Sequence, residues 1–395
     1  MLTPRTAFPD EELADRRSRV RDAMSQKGLD VLIVSDPANI YYLSGYDGWS
    51  FYVPQALIML TGESAPHWIG RPMDANGARL TTDLDDAHIH TYTEGLVQAP
   101  DRHPMDEVAR LVESLGQARN SIGVEMDAYY FTAAAFARLQ SNLPSARFLD
   151  ADLLVNWCRA VKSPLEMNLI RDAARIASGA MRAAREAIAP GVRECDAAAA
   201  IAAAQYSGVG EVAGDYPAIV PLLPSQERTS AAHLTWTDRR YEKGDVVNVE
   251  LAGCVRRYHA PQARTFCLGR PSRQHAELAD VVTEGMAAAI GAVRAGASCA
   301  DVELAWRAVL SRRGFAKPSR LGYSVGIGYP PDWGERTASL RSGDETELRT
   351  GMTFHLIAGM WLEDYGLEIS ETIAVTDSGC DVLTAFPRSL ITLEP

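Results

Sequence analysis

The sequence Lys162-Ser163-Pro164-Leu165-Glu166 marks the main boundary of the chain. A serine, followed at once by proline and three residues later by glutamate, forms a capping box with proline at the first helical position, a strong signal for the start of a helix. The spacing predicts a long helix over 164–187, ended by Pro190-Gly191. The chain is therefore predicted to have two domains, residues 1–160 and 161–395.

The part before this boundary alternates between helical and strand patterns. Helices are predicted at 11–26, 105–115 and 131–140, and apolar strands at 31–34, 53–60 and 122–124. Such alternation is typical of an α/β domain, and about 150 residues is an ordinary domain length.

The part after the boundary is rich in strands. Helices are predicted at 194–205, 274–295 and 299–313, and strands at 246–251, 263–268, 354–361 and 367–375. The predicted fold class is α/β, of the α+β kind, with a smaller N-terminal α/β domain followed by a larger mixed domain.

The composition limits the classes of partner. The chain has 39 Lys and Arg against 51 Asp and Glu, a net charge of −12, which argues against a nucleic-acid-binding surface. No segment approaches the roughly 18 consecutive apolar residues of a membrane span. The 6 cysteines form no C-x-x-C pair and are interpreted as free thiols. These features predict a cytoplasmic enzyme.

A single carboxylate, Glu250, interrupts the apolar strand at 246–251. Side chains alternate along a strand, so Asn248 and Glu250 share one face while Val247 and Val249 share the other. Burying an unpaired carboxylate costs free energy. Glu250 is therefore either solvated at a strand end or functional, and we expect a function.

A second carboxylate interrupts the strand at 367–375. Glu371 shares its face with Ile369 and Ile373, whereas Glu368 falls on the opposite face. Two carboxylates in one cavity can bind a metal, hold a delocalised cation or act as acid and base. The alternative is that Glu371 forms a structural ion pair with an arginine such as Arg264.

His233 lies in a loop-like stretch, 11 residues before Gly244. A lone histidine is more often structural than catalytic, although imidazole is well suited to act as a general base near neutral pH. The residues alone leave both interpretations open.

Five segments, taken in order, resemble the pita-bread fold shared by creatinase, prolidase, aminopeptidase P and methionine aminopeptidase. They are the capping box at 162–166, the strand at 244–250, the run at 258–266, the turn at 321–328 and the segment at 371–376. The resemblance covers the whole C-terminal part and, more loosely, the N-terminal domain. It implies a creatinase-like N-terminal domain followed by a pita-bread catalytic domain, in a homodimer.

The metallopeptidases of this family bind two metal ions through five carboxylate or imidazole side chains. The resemblance places Glu250, Pro261, Tyr323, Ile357 and Glu371 at these positions. Proline and isoleucine have no side-chain donor, and divalent cations need several oxygen or nitrogen ligands. The resemblance therefore implies no two-metal site and no cofactor, while a single loosely held ion stays open.

Creatinase is the member of the family that works without metal, with a histidine base and glutamates that grip an amidino group. Its histidine lies at the position of His233, which makes His233 the expected base. Ala263 replaces the glutamate that creatinase has directly before its Arg-Thr pair, whereas Glu250 adds a carboxylate. The resemblance implies a metal-independent hydrolase of a cyclic amidine. In it, Glu250 attacks the amidine carbon or stabilises its charge, and Glu371 holds the ring nitrogens.

Substrate-binding side chains are expected mainly in two aromatic segments, 41–55 and 328–337. Aromatic faces attract delocalised cations. The expected substrate-binding residues are Trp49, Tyr52, Tyr216, Tyr323, Trp333, Glu335, Arg336 and His355. Of these, Arg336 is the expected clamp for a substrate carboxylate, and Trp49 and Tyr52 are expected to reach the pocket from the partner subunit.

Three other functions stay open. Another amidine or guanidine hydrolase, such as creatinase itself, is opposed by Ala263. A metal-dependent relative, either an Xaa-Pro peptidase or a dimethylsulfoniopropionate lyase, is opposed by Pro261 and Ile357. An inactive pita-bread domain that binds proteins is opposed by the retained His233, Glu250 and Glu371. The expected partners are a small-molecule substrate, a second copy of the chain and, functionally, a deacetylase, but neither nucleic acid nor membrane.

Overall fold

The computed structural model describes residues 7–394. They form two compact units, the first ending at Arg159 and the second beginning at Ala160. In the described part of the chain, no helix is both long enough and apolar enough to cross a membrane. That residues 1–160 and 161–395 are separate folding domains stays a prediction.

The first unit is a mixed sheet with helices packed against it. Its helices are α1 (Asp10–Gln26), α2 (Pro37–Ser44), α3 (Ala75–Thr81), α4 (Met105–Ser114), α5 (Ala133–Asn142) and α6 (Leu154–Arg159). Its strands are β1 (Val31–Val34), β2 (Ala56–Leu60), β3 (His67–Gly70), β4 (Ile89–Thr91), β5 (Ser121–Val124) and β6 (Arg147–Asp150). The strand order is β4-β3-β2-β1-β5-β6. Strands β1 to β3 pair antiparallel and the other neighbours pair parallel.

The core of the first unit joins this sheet to α4 and α5. Val31 and Ile33 of β1 are buried together with Val108 and Val112 of α4 and Leu139 of α5. The predicted helices and strands of this unit are confirmed, with shifts of a few residues at their ends. Local apolar pattern is a sufficient signal here, because β1 and β2 are buried along their whole length and α4 buries one side.

The second unit contains the larger sheet. Its helices are α7 (Pro164–Ala187), α8 (Glu194–Ser207), α9 (Arg273–Ala292) and α10 (Cys299–Arg312). Its strands are β7 (Val246–Val255), β8 (Tyr258–Leu268), β9 (Gly322–Tyr329), β10 (Asp332–Leu340), β11 (Thr353–Trp361), β12 (Gly366–Val375), β13 (Cys380–Val382) and β14 (Ile391–Leu393). The strand order is β13-β12-β11-β9-β8-β14, with β10 paired to β9 and β7 paired to β8.

The predicted capping box starts α7. The Ser163 hydroxyl accepts a hydrogen bond from the Glu166 amide at 3.3 Å, and the Glu166 carboxylate accepts one from the Ser163 amide at 2.8 Å. Two otherwise unpaired amides are satisfied in this way, so the helix begins at Pro164 as predicted. The helix then packs along β7 and β8.

The two faces of the sheet differ in chemistry. On β7, Val247, Val249 and Leu251 pack into a buried apolar cluster with residues of α7 and α8, as the alternation predicts. On β11 and β12, Leu356, Ile369 and Ile373 pack into a second cluster with α9 and α10. The helices therefore cover one face of these strands, and Glu250, His355 and Glu368 lie on the other, which we call the polar face.

The structure corrects two predicted irregular segments. The predicted turn at 321–328 is strand β9, and most of the predicted loop at 328–337 is strand β10, joined to β9 through Pro330 and Pro331. Glycines that suggested a turn are packing positions, since a Cβ atom on Gly328 would lie 2.7 Å from the Trp333 backbone. The predicted loop at 41–55 also begins inside a helix, α2, whose N-cap Asp36 accepts a hydrogen bond from the Ala38 amide.

Candidate active site

Two buried glutamates from different strands form the centre of the polar face. Glu250 of β7 is 6% exposed and Glu368 of β12 is 4% exposed. Burial, followed by the charge of Glu368, raises the pKa of Glu250 well above its ordinary value. Burial also raises the pKa of Glu368 to about 7, against the opposing effect of the Lys317 charge. Ionisation of one carboxyl group is therefore opposed by the negative charge of the other.

Neither glutamate has a cationic partner in the described part of the chain. In residues 7–394, no lysine or arginine forms an ion pair with Glu250 or Glu368, and Oε1 of Glu368 has no hydrogen-bond partner. His355 also lies beside Glu250, with its Nδ1 4.0 Å from Oε1 of the glutamate. A buried carboxylate oxygen without a partner is costly, so this arrangement is suited to a cationic ligand.

Four side chains beside the glutamates form a hydrogen-bonded chain. Trp333 Nε1 donates to the Tyr323 hydroxyl at 2.8 Å, and that hydroxyl lies 3.0 Å from His355 Nδ1. His355 Nε2 lies 2.6 Å from the Ser370 hydroxyl. Tyr323 and His355 face each other across the β9–β11 register, so their side chains share the polar face.

The protons of this chain can be assigned from its end. Indole nitrogen only donates, so the Tyr323 oxygen accepts from Trp333 and offers its own proton to His355 Nδ1. The His355 proton then lies on Nε2 and is donated to Ser370. Burial, followed by the Arg320 charge, lowers the pKa of His355 to about 3, which keeps the imidazole neutral as this assignment requires. The chain holds Tyr323 and His355 rigidly beside Glu250.

The structure corrects the expectation for Glu371. Its carboxylate accepts hydrogen bonds from Arg264 Nη2 at 2.6 Å, Arg388 Nε at 3.1 Å and Gln262 Nε2 at 3.3 Å. The β11–β12 register is regular, so Glu371 lies on the opposite face of β12 from Glu368. The alternative left open by the sequence, a structural ion pair with Arg264, is the one observed.

Glu368 is the functional candidate that the sequence analysis passed over. Its position on the face opposite Glu371 was recognised, but the preference for Glu371 rested on that residue's apolar neighbours. The pattern that indicates Glu368 is that Ser370 and Thr372, on the same face of the strand, are also polar. Those residues lie opposite Ile357 and His355 in the β11–β12 register.

Glu335 also has a structural partner. Its carboxylate lies 2.6 Å from Lys162 Nζ, and both side chains are about 1% exposed. Lys162 further donates to the Ala160 carbonyl at 3.1 Å. The expected contact between Glu335 and substrate stays a prediction. Arg336, the next residue, is half-buried and has a φ of +62°.

His233 and Tyr216 lie in the segment between α8 and β7. His233 is exposed in a turn with φ +65°, just after the 3₁₀-helix Gln226–Ser230, which packs against β7, β11 and β12. None of the hydrogen bonds among residues 7–394 involves the His233 side chain. The Tyr216 ring is covered by Arg257, whose guanidinium carbon lies 3.5 Å from the ring centroid.

Trp49 and Tyr52 belong to the first unit. They lie on the 3₁₀-helix Trp49–Tyr52 and are 57% and 68% exposed. The Trp49 ring contacts that of Phe51 at a centroid distance of 5.1 Å, and Arg71 donates to the Tyr52 hydroxyl at 3.4 Å. Their place in a substrate pocket stays a prediction.

The residues around Glu250 do not fit a two-metal centre. Pro261 and Ile357 offer no side-chain donor at two of the five expected positions, and Glu371 is held by Arg264. In residues 7–394, Glu250 belongs to no group of three His, Cys, Asp or Glu side chains whose ligand atoms lie within 4.8 Å of one another. The polar face lacks the ligand set that a dinuclear metallopeptidase needs.

Comparison with known proteins identifies the family. Residues 168–377 match the family described as metallopeptidase family M24, and residues 16–161 match the creatinase/prolidase N-terminal domain. The ectoine hydrolase of Halomonas elongata is 45% identical over 397 residues, covering 99% of both proteins. The Xaa-Pro dipeptidase of Pyrococcus horikoshii is 24% identical, covering 95% of this chain and 99% of that protein.

A solved structure agrees in fold. Dipeptidase PepE of Mycobacterium ulcerans superposes with a TM-score of 0.81 at 23% identity, covering 98% of this chain and 100% of its own. At that identity the likeness concerns the fold alone. The chain therefore belongs to metallopeptidase family M24, with a creatinase/prolidase N-terminal domain, and is a pita-bread hydrolase.

Proposed function

We propose that this hydrolase opens the cyclic amidine ring of ectoine to N-acetyl-L-2,4-diaminobutyrate without a metal ion. The observation that carries the proposal is the pair of buried glutamates, Glu250 and Glu368, which form no ion pair with a lysine or arginine in residues 7–394. The near full-length likeness to the ectoine hydrolase of Halomonas elongata supports the choice of substrate. Hydroxyectoine, which shares the ring, is a second substrate to test.

The substrate's charge complements the site. Ectoine is a zwitterion with a ring amidinium and a carboxylate, and the planar N–H donors of an amidinium pair well with carboxylates. Burial keeps Glu250 and Glu368 reluctant to ionise in the free protein. A bound amidinium reverses that tendency, because an adjacent cation favours both carboxylate forms. The glutamates are thus expected to select a delocalised cation of this size.

The reaction adds water across the amidine carbon. The water oxygen bonds to that carbon, one ring C–N bond breaks, and the departing nitrogen leaves as an amine that takes up a proton. We assign His233 to the proton transfers, since its turn follows a short helix packed on β7 and β12. Glu250 either attacks the carbon or stabilises its charge, and Glu368 takes the nitrogen-holding role expected of Glu371.

The substrate carboxylate needs a cationic partner. Arg336 was the expected clamp, and the structure adds Arg320. The Arg320 side chain is exposed, with its guanidinium carbon 4.3 Å from the Tyr323 ring centroid. In residues 7–394 it forms no ion pair, and its hydrogen bond goes to the Ser339 hydroxyl at 3.2 Å. Its charge therefore stays available beside a residue that contacts His355.

The remaining expected residues complete the proposal. Tyr323, His355 and Trp333 form the wall beside Glu250, while Tyr216 and, from a partner subunit, Trp49 and Tyr52 would cover the substrate. A homodimer is the assembly this requires, and light scattering of the purified protein measures it. The acetylated diamine product is a natural substrate for a deacetylase, which is the class of partner enzyme we expect.

The direct test is proton NMR of ectoine incubated with the full-length protein, with and without excess chelator. N-acetyl-diaminobutyrate in both samples supports the proposal. Product only without chelator overturns metal independence, and no product in either overturns the choice of substrate. Creatine, a guanidino substrate, and an Xaa-Pro dipeptide serve as competing substrates under the same conditions.

A further inference from the structure

A cluster of imidazoles lies in the first unit, among residues that the proposed function does not use. His67, at the start of β3, and His88 and His90, near β4, account for 3 of the 8 histidines of the chain. The His67 and His88 rings stack at a centroid distance of 4.7 Å, and His67 and His90 lie 5.2 Å apart. The carboxylate of Glu63, in the turn before β3, lies 3.0 Å from His67 Nε2.

Three of these side chains converge on one point. Glu63, His67 and His88 each offer one ligand atom, and these atoms all lie within 4.8 Å of one another. Ligands at about 2.0–2.2 Å from a tetrahedral zinc ion are separated by about 3–3.5 Å, so small side-chain adjustments close the cluster around an ion. His67 is buried, with a side chain 8% exposed, while Glu63 is 46% exposed and keeps the cluster open to solvent.

The outer nitrogens of the two histidines have the partners that a metal site needs. His88 Nδ1 lies 2.6 Å from the Asp85 carboxylate, which leaves Nε2 as its free ligand atom. His67 Nδ1 lies 3.1 Å from His90 Nε2, which leaves Nε2, the atom beside Glu63, for the ion. Histidine ligands usually donate their other N–H to such an outer partner, which sets the tautomer and the ring orientation.

We propose that Glu63, His67 and His88 bind one zinc-like divalent cation, with Asp85 and His90 as outer partners and the fourth position open to water. Two imidazoles and one carboxylate suit zinc and its neighbours rather than magnesium or calcium, which prefer oxygen ligands. The ion would link the turn between β2 and β3 to the residues that enter edge strand β4. We assign it a structural role in holding that edge strand.

The test is a zinc titration of full-length protein that has been stripped with chelator and desalted. Calorimetry is expected to show one zinc ion per chain, and cobalt in its place is expected to give the visible absorption bands of a tetrahedral site. His88→Ala should weaken zinc binding at least about 100-fold, and Asp85→Asn about 10–100-fold, the usual effect of losing an outer partner. His275→Gln, which changes a histidine outside the cluster, is the matched control and should bind like the unmodified protein.

Binding below one ion per chain, or equal affinity in His88→Ala and the unmodified protein, overturns the proposal. Glu63→Ala, at a more exposed position, is the second variant if His88→Ala fails to give a native circular dichroism spectrum. The readout is binding alone, so it is independent of the proposed ring hydrolysis. An enzyme that opens ectoine in chelator and still binds one zinc when titrated supports both proposals.

Discussion

Two buried carboxylate centres on the same strand behave differently. Glu371 is 1% exposed and accepts hydrogen bonds from Arg264, Arg388, Gln262 and the Thr384 hydroxyl. Glu368, three residues earlier, is 4% exposed and has an oxygen without any hydrogen-bond partner in residues 7–394. Both are buried glutamates in apolar strands, so burial alone does not separate a structural carboxylate from one suited to a ligand. The two kinds of carboxylate differ in whether the protein itself supplies a hydrogen-bond or ion-pair partner.

The largest effect is expected for Glu250→Gln. If Glu250 attacks the amidine carbon or stabilises its charge, the amide cannot replace it, and turnover of ectoine should fall by about 10²–10⁴-fold. NMR product formation measures the loss. Exposed Glu242→Gln is the control for a neutralised glutamate near the same strand. Unchanged turnover in Glu250→Gln removes Glu250 from the reaction.

Glu371→Gln should act on stability instead. Removing its charge leaves the fully buried Arg264 guanidinium without a counter-ion, which costs about 3–5 kcal/mol in the free energy of unfolding. Urea denaturation measures this change. The control is Asp196→Asn, which breaks an exposed ion pair with Arg193 and should leave the denaturation midpoint unchanged.

Glu368→Gln should reduce turnover without reducing stability. It removes a carboxyl group that has no ion pair, so the free energy of unfolding at pH 8 should stay the same or rise, while ectoine turnover falls. A loss of stability equal to that of Glu371→Gln would show that the two centres are alike and would end the distinction drawn between them.

The arginines are expected to affect substrate binding. A charged hydrogen bond contributes about 1.5–3 kcal/mol, so removing the carboxylate clamp should raise the KM for ectoine by about 10–150-fold with a smaller change in kcat. Arg320→Ala and Arg336→Ala, measured side by side, decide which arginine supplies it. If both variants keep the original KM, the substrate carboxylate is bound elsewhere.

The smallest effect is a pH dependence. Burial raises the pKa of Glu368 to about 7, so below that pH the free enzyme carries a neutral carboxyl group that cannot pair with the amidinium. The value of kcat/KM should therefore fall on the acid side of pH 7, by about tenfold per pH unit for a single proton. The profile between pH 5 and 9 measures this. Because the pKa of Glu250 is also raised, the acid limb belongs to the pair, and the profile of Glu368→Gln shows the part that Glu250 contributes.

Several elements were predictable from local pattern. The capping box at Ser163 placed the start of α7, and Pro190-Gly191 placed its end. The alternation in β7 correctly separated Val247 and Val249 from the face of Glu250, because one side of that strand packs on helices. Strands β9 and β10 were missed, since glycines suggested a turn where the structure uses them for close packing, as at Gly328 against the Trp333 backbone.

The site was only partly predictable. The alternation in β12 already placed Glu368 and Glu371 on opposite faces, but it did not say which face meets Glu250. Tyr323 and His355 were expected near the substrate, yet their hydrogen-bonded chain to Ser370 depends on the register of three strands, β9, β11 and β12. The roles of these residues, of His233 and of the aromatic residues of the first unit stay proposals that the variants above test.

The starts and faces of the main elements were predictable from the sequence, because capping and periodicity are local properties. The family and the shortage of side-chain ligands for two metal ions were predictable as well, because they depend on which residues are present. Only the tertiary structure decided which glutamate is paired. Arg264 on β8 and Arg388 near the C-terminus reach Glu371 across the sheet, and no cation reaches Glu368 within ion-pair distance in residues 7–394. Whether a buried charge is satisfied depends on residues from distant parts of the chain, which only the folded arrangement brings together.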